Sequence, residues 1–293
     1  MKKACLYISI FLLFLAVVSL VLTAVGRHPT AVLTSRVGLV RIEGILGVDI
    51  SASQVIEELK EFREDSSIKA VVVRINSPGG TVAPAQEIYE AVKKLRKEKV
   101  VVASMDTLAA SGGYYIAVAA ERIFANPGTM TGSIGVIMEI PNVEGLMDKV
   151  GVKNEVVKSG KHKDIASMFR PMTDKDRALL QNLLDDVHDQ FIGAVAEGRN
   201  MDPEEVRVLA DGRVFTGRQA HASGLVDDLG TLEDAVTGAG LMAGIEGEPD
   251  VVTRKKPFSL RDMLRGGLAD TVGRLLSPGR DMWGYSPKYL MTF

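Results

Sequence analysis

Ile68-Lys69-Ala70-Val71-Val72-Val73-Arg74-Ile75 runs straight into Asn76-Ser77-Pro78-Gly79-Gly80. The first eight residues are a near-continuous β-branched run, as expected of a strand buried on both faces. In open α/β sheets, ligands bind beyond the carboxyl ends of strands. Two glycines at that point let backbone N–H groups face an anion with no side chain in the way. A plain strand-to-helix turn also uses Pro-Gly-Gly, so this stretch alone leaves a binding turn and a structural turn both open.

Working outward, Val37–Glu43 reads as a strand, and Ser51–Glu64 as a helix with Ile56, Leu59 and Phe62 at helical spacing. Downstream, Pro84–Lys97 is helical, Val100–Met105 a buried strand, Gly112–Ala120 a short apolar helix and Arg122–Ala125 a short strand. Lys153–Lys158 reads as a further strand, and Thr173–Arg199 as a long helix with Thr173 as its N-cap. Strands alternating with helices predict an α/β fold, with a mainly parallel sheet covered by helices on both faces.

The two ends differ from this middle. Ala4–Val25 is apolar and uncharged. As a helix it would span about 33 Å, enough to cross a bilayer core. Lys2 and Lys3 precede it, which favours a cytoplasmic N-terminus. The organisation expected is therefore a transmembrane anchor at 1–26, a linker at 27–36, a catalytic domain at 37–253 outside the cytoplasm, and a C-terminal extension at 254–293. Phe258–Leu276 in that extension can be drawn as an amphipathic helix, packed on the domain surface or on a neighbour, or lying on the membrane surface through Arg261, Arg265 and Arg274.

Composition excludes several classes. Asp and Glu number 37 against 35 Lys and Arg, so nothing argues for nucleic acid or another polyanion as partner. Cys5 is the one cysteine, so no intrachain disulfide is possible. His28, His162, His188 and His221 are scattered, with no HExxH or CxxC spacing. Neither a metal nor a cofactor is expected.

Three further segments are richer in Gly, Ser and Lys than buried elements need. Ala109-Ala110-Ser111-Gly112-Gly113-Tyr114-Tyr115 follows a buried strand and opens a helix. A serine there has its hydroxyl at a helix N-terminus, where the Gly112 N–H and the helix dipole can stabilise developing negative charge. The same serine could simply cap the helix. It is not the GxSxG elbow of α/β-hydrolases. In Thr131-Gly132-Ser133-Ile134-Gly135-Val136, Ser133 is either a turn residue or a polar group near a site. Lys158-Ser159-Gly160-Lys161-His162-Lys163-Asp164 offers three lysines after the expected strand. Ser-Lys dyads are a known variant of triad chemistry, and a lysine acting as base must be neutral at working pH. A solvated basic loop is the other reading. Neither His162 nor His188 has the acidic context of a Ser-His-Asp triad.

Taken together and in order, Asn-Ser-Pro-Gly-Gly at 76–80, Ala-Ser-Gly-Gly-Tyr at 110–114, Thr-Gly-Ser-Ile-Gly at 131–135 and Lys-Ser-Gly-x-x-Lys-Asp at 158–164 resemble the signal peptide peptidase A family, in its short bacterial form. The resemblance spans about residues 37–245 and the N-terminal segment. It implies a ClpP/crotonase-like fold with Ser111 as nucleophile and Lys163 as general base. It further implies that Ser133 hydrogen-bonds the lysine and that the N–H groups of Gly80 and Gly112 form the oxyanion hole. Family members assemble as membrane-facing rings that degrade signal-peptide remnants. In short members the serine and the lysine of one site can come from neighbouring protomers. The rival readings are a crotonase-type enzyme acting on an acyl-CoA thioester and a catalytically inactive anchored scaffold. Ala109, Ala110, Ile134, Val136 and Ile137 flank the motifs and are small or apolar. They suit an extended apolar peptide added as a strand.

Overall fold

The structure, a computed structural model, describes residues 35–254 and the backbone of residues 288–290. The alternation along β2 (Ile68–Ser77) organises it. Val71, Val73 and Ile75 face one apolar cluster, and Ala70 and Val72 face another. Successive side chains of a strand point to opposite faces, so a run apolar at both parities must be covered on both. The larger cluster is built by α1 (Ala52–Glu64), α2 (Val82–Arg96) and α3 (Gly112–Ala117), through Leu59, Phe62, Ile88, Val92, Leu95 and Tyr114. The smaller is closed by Ala235 and Ala239 of α8 (Leu232–Met242) with Phe124. Burying a side chain such as Phe62 contributes about 1.5–3 kcal/mol.

β2 pairs in parallel with β1 (Arg36–Glu43) and with β4 (Val100–Ala110). β1 also pairs in parallel with β9 (Asp250–Val252). β4 carries two parallel neighbours, β5 (Arg122–Ala125) near its start and β6 (Met130–Gly132) at its far end. β5 pairs with β8 (Asp228–Leu229), and β6 pairs antiparallel with β7 (Val214–Thr216). The eight-stranded sheet is thus mainly parallel, with one antiparallel edge. A second small sheet joins β3 (Gly79–Thr81) and β10 (Lys288–Leu290). The remaining helices are α4 (Glu144–Lys149), α5 (Asp174–Arg199), α6 (Pro203–Leu209) and α7 (Gly217–Ala222). Thr173 caps α5 as expected, in a capping box with Asp176.

Two expectations need correction. Strand β4 does not stop at Met105 but continues to Ala110, because β6 supplies its last three residues with a partner far along the chain. Lys153–Lys158 forms no strand; its residues are all exposed and join no strand among the described residues. A short stretch with β-branched residues gives a strand only where a ladder is available. The expected anchor at residues 4–25 and the amphipathic helix at 258–276 lie outside the described residues. Among the described residues, no helix is long and apolar enough to cross a membrane.

Candidate active site

Ser111 is the joint between β4 and α3. Its backbone sits at φ 52°, ψ −117°, a region that non-glycine residues rarely occupy. Two hydrogen bonds hold it there. Its N–H donates to Gly132 O at 2.8 Å, and its carbonyl accepts from Tyr115 N at 2.9 Å. The side chain makes no cap bond to the helix it precedes. Ser111 is 1% exposed, and its Oγ is buried without a hydrogen-bond partner. Helix capping is therefore not what this hydroxyl does. Strain of this kind costs about 1–3 kcal/mol, and an unpaired buried hydroxyl about 1–3 kcal/mol. Two costs coincide on one side chain. Tyr114 anchors the start of α3: it is fully buried, its phenol donates to Leu225 O at 2.8 Å, and burial pushes that phenol up.

The Pro-Gly-Gly turn is brought to this joint by close backbone packing. A Cβ on Gly113 would stand 2.9 Å from Ser77 O. Ser77 pins the turn from within: its Oγ donates to Gly44 O at 2.6 Å and accepts from Gly79 N at 3.1 Å. Gly80 has φ 153°, and a Cβ there would fall 2.2 Å from Leu46 O, so no side chain fits. One side of β3 is held by Leu46, which donates to Gly79 O at 2.8 Å and accepts from Thr81 N at 3.0 Å. Along β3 runs β10, antiparallel, with Lys288 opposite Thr81, Tyr289 opposite Gly80 and Leu290 opposite Gly79. An extended segment thus fits along the Gly-Gly strand. Gly112, the first residue of α3, is buried beside Ser111.

Ser133 is reached through the β4–β6 register, in which Ala110 lies opposite Gly132. Thr131 Oγ1 donates to Ala109 O at 2.6 Å and locks that register. The next residue on each strand is Ser111 and Ser133, and both have positive φ, 52° and 50°. Ser133 is 8% exposed, and its N–H donates to Arg213 O at 2.9 Å. It opens onto a cavity of about 420 Å³ shared with Val136, Gln181, Asp185, His188 and Asp211. His188, which the sequence offered only as a base without acidic context, lines this cavity beside Asp185, and its Nε2 is buried without a hydrogen-bond partner.

Lys163 makes no bond to Ser111 within the chain. It is exposed, in a run of turns before α5, and its ammonium makes no ion pair or hydrogen bond among the described residues. Lys158 differs: its Nζ donates to Asp164 Oδ1 at 2.5 Å. Asp164 is in turn held by Arg170, whose Nε donates to Oδ2 at 3.0 Å. Arg170 also donates to Asp176 Oδ2 at 2.7 Å, in the first turn of α5. Helix α5 touches both regions, with Asp176 in its first turn bonded to Arg170. Phe191, in its C-terminal half, packs on the Tyr115 ring of α3 at 5.0 Å between centroids. From Phe191 back to Asp176 is about 22 Å of helix.

The clamp has a pH signature. Arg170, and after it Lys158, hold the Asp164 carboxyl well below the usual carboxylate range. Arg170 and then Thr173 bring Asp176 down to about 2. A carboxylate whose folded pKa is depressed stabilises above its unfolded value, near 3.9 for Asp, and loses that contribution as pH falls through the folded value. The gap in thermal midpoint between the native chain and Asp176→Asn is expected to be constant from about pH 7 to about 5 and to narrow steadily below about pH 4. A gap unchanged down to about pH 2 would show that the carboxylate is not what the clamp uses.

Arg170, Ser77 and Thr131 are the site-forming residues that motif reading missed. Ser77 lay inside a quoted motif, and Thr131 likewise. Arg170 had no signal beyond being a lone cation in Phe169-Arg170-Pro171.

A strained serine between a parallel strand and a helix, opposite a glycine-rich strand edge, defines a ClpP-like α/β protein, and the sequence profile of Clp protease matches residues 41–131. The profile of Peptidase family S49 matches residues 93–246. A putative protease of Synechocystis sp. is 43% identical over 273 residues, covering 86% of this chain and 97% of that protein. The chain belongs to peptidase family S49, the signal peptide peptidase A family. A putative signal peptide peptidase SppA of Enterococcus faecium is 41% identical over 61% of this chain and 52% of its own length. Protease 4 of Salmonella typhi is 38% identical over 69% of this chain, but only 32% of that protein is covered. A mutant ClpP1 from Listeria monocytogenes superposes on 69% of this chain at 18% identity, with a TM-score of 0.47.

Proposed function

We propose that this chain is a membrane-anchored serine endopeptidase that cleaves extended apolar peptides, spent signal peptides among them, by a Ser-Lys dyad. Ser111 attacks the scissile carbonyl. Lys163 takes the serine proton and returns it to the leaving amine, and Ser133 orients the lysine. The N–H groups of Gly80 and Gly112 receive the oxyanion, which is the largest single electrostatic contribution in acyl transfer. The carrying observation is the buried, strained Ser111 with an unpartnered Oγ. The exposed, unbonded Lys163 supports a site completed by a neighbouring protomer of a ring. The β3–β10 pairing supports substrate binding by strand addition.

The test uses a serine-reactive phosphonate probe and three substrates. The native chain should be labelled and Ser111→Ala should not. An apolar signal-like peptide should be cut well, and a charged peptide of equal length and a compact folded protein poorly. Preference for the charged peptide, or equal attack on the folded protein, would overturn this reading of the groove. Residues 4–25 are proposed to place the domain outside the cytoplasm, motivated by their length and the two preceding lysines. Protease added to intact spheroplasts should then digest the domain; protection until lysis would reverse the topology.

A further inference from the structure

All five N–H donors of Arg170 are used, and they reach only three residues. The Nε donates to Asp164 Oδ2 at 3.0 Å. One terminal nitrogen donates to Pro171 O at 3.0 Å and Asp176 Oδ2 at 2.7 Å. The other donates to Asp164 O at 3.1 Å and Asp164 Oδ1 at 3.3 Å. Asp164 directly follows Lys163, so two of these bonds fix the carboxylate beside the lysine and a third fixes the adjoining main chain. Asp176 is the N3 residue of the α5 capping box. Its Oδ2 therefore ties Arg170 to the end of a 26-residue helix.

The loop between these points is itself folded tightly. Lys163 N donates to Gly160 O at 3.1 Å, and Ser167 N donates to Asp164 O at 3.1 Å. Ala166 reverses the chain at φ 63° with its side chain buried. The backbone of Lys163 is thus immobilised while its ammonium is left exposed. An arrangement meant only for stability has no need to converge on the residue next to an unpartnered lysine. Buried ion pairs contribute little net stability against apolar replacements.

We propose that Arg170 is a positioning residue, which presents Lys163 from the end of α5 to the Ser111 of a neighbouring protomer. This rests on the reading of Lys163 as a base supplied in trans. The planar five-donor fork cannot be replaced by an ammonium. Arg170→Lys should lower kcat by about 100-fold, the cost of a displacement near 1 Å, with KM changed less than about 2-fold.

The deciding experiment mixes chains. Assemblies of Ser111→Ala with Lys163→Ala contain sites that join an intact serine to an intact lysine, and should regain cleavage of a fluorogenic peptide ester. Adding Arg170→Lys to the Ser111→Ala chain, which donates the lysine, should abolish that gain. Adding it to the Lys163→Ala chain, which donates the serine, should leave the gain intact. Equal damage from both placements would make Arg170 merely structural and overturn the proposal. Asp164→Asn, which keeps the shape of the loop, should show the same asymmetry if Arg170→Lys folds poorly. If the plain mixture regains nothing, the two-protomer reading falls. An unchanged kcat in Arg170→Lys alone would then sink the positioning role as well.

Discussion

Ser111→Ala is expected to lose peptide cleavage by a factor of about 10⁴ or more, as removal of a nucleophile does, while its thermal midpoint stays level or rises. Both halves come from the same geometry. The hydroxyl is buried and bonded to nothing, so removing it deletes a desolvated polar group at no loss of contact. Such a deletion is neutral or stabilising, by up to about 1–3 kcal/mol. Alanine keeps the positive φ, so the strained backbone is unchanged. Stability gained where activity is lost is the usual mark of a functional residue held under strain. The measurements are the rate on an apolar peptide ester and a calorimetric melt of the same preparation. Retained activity would remove Ser111 from the chemistry. A fall in midpoint beyond about 3 °C, a loss near 1 kcal/mol for a domain of this size, would make the residue structural.

Lys163→Ala is expected to be as damaging as Ser111→Ala, and the double variant no worse than either, because members of a catalytic unit are strongly non-additive. The neighbouring lysines should separate by their contacts. Lys158→Ala removes a hydrogen bond to Asp164 and should slow the enzyme moderately. Lys161 is exposed, and Lys161→Ala should change little. Initial rates and melts of the four variants check this. If Lys161 proved essential and Lys163 dispensable, the register of the Lys-Ser-Gly-x-x-Lys-Asp motif would be misread.

The parallel core was legible in sequence because β2 is apolar at both parities, a pattern that only two-sided burial explains. The N-cap at Thr173 was legible because its signal is local, although the capping box it forms with Asp176 was not read. Three things were not. The extension of β4 depends on β6, and that pairing joins Leu108 to Met130 across a helix and another strand. The strand expected at Lys153–Lys158 had the right residues but no edge to join. At the candidate site, the sequence named Ser111, Ser133 and Lys163 but could not say that the lysine is exposed and unbonded while both serines are buried. Nor could it show whether Ser111 capped α3; only the unbonded Oγ did.

Helix α5 is fixed at two points: by Phe191 against Tyr115 in its C-terminal half, and by Asp176 against Arg170 in its first turn. Its length is therefore a constraint separate from its composition. Substitutions on its exposed face, at Gln181 or Leu183, leave both points in place. A single inserted residue between Asp176 and Phe191 would turn one point against the other by about 100° and move it about 1.5 Å. A four-residue insertion nearly restores the rotation but adds about 6 Å of height. Drift along this lineage should thus be permissive of amino-acid exchange in α5 and intolerant of any gap, as in a part made to gauge.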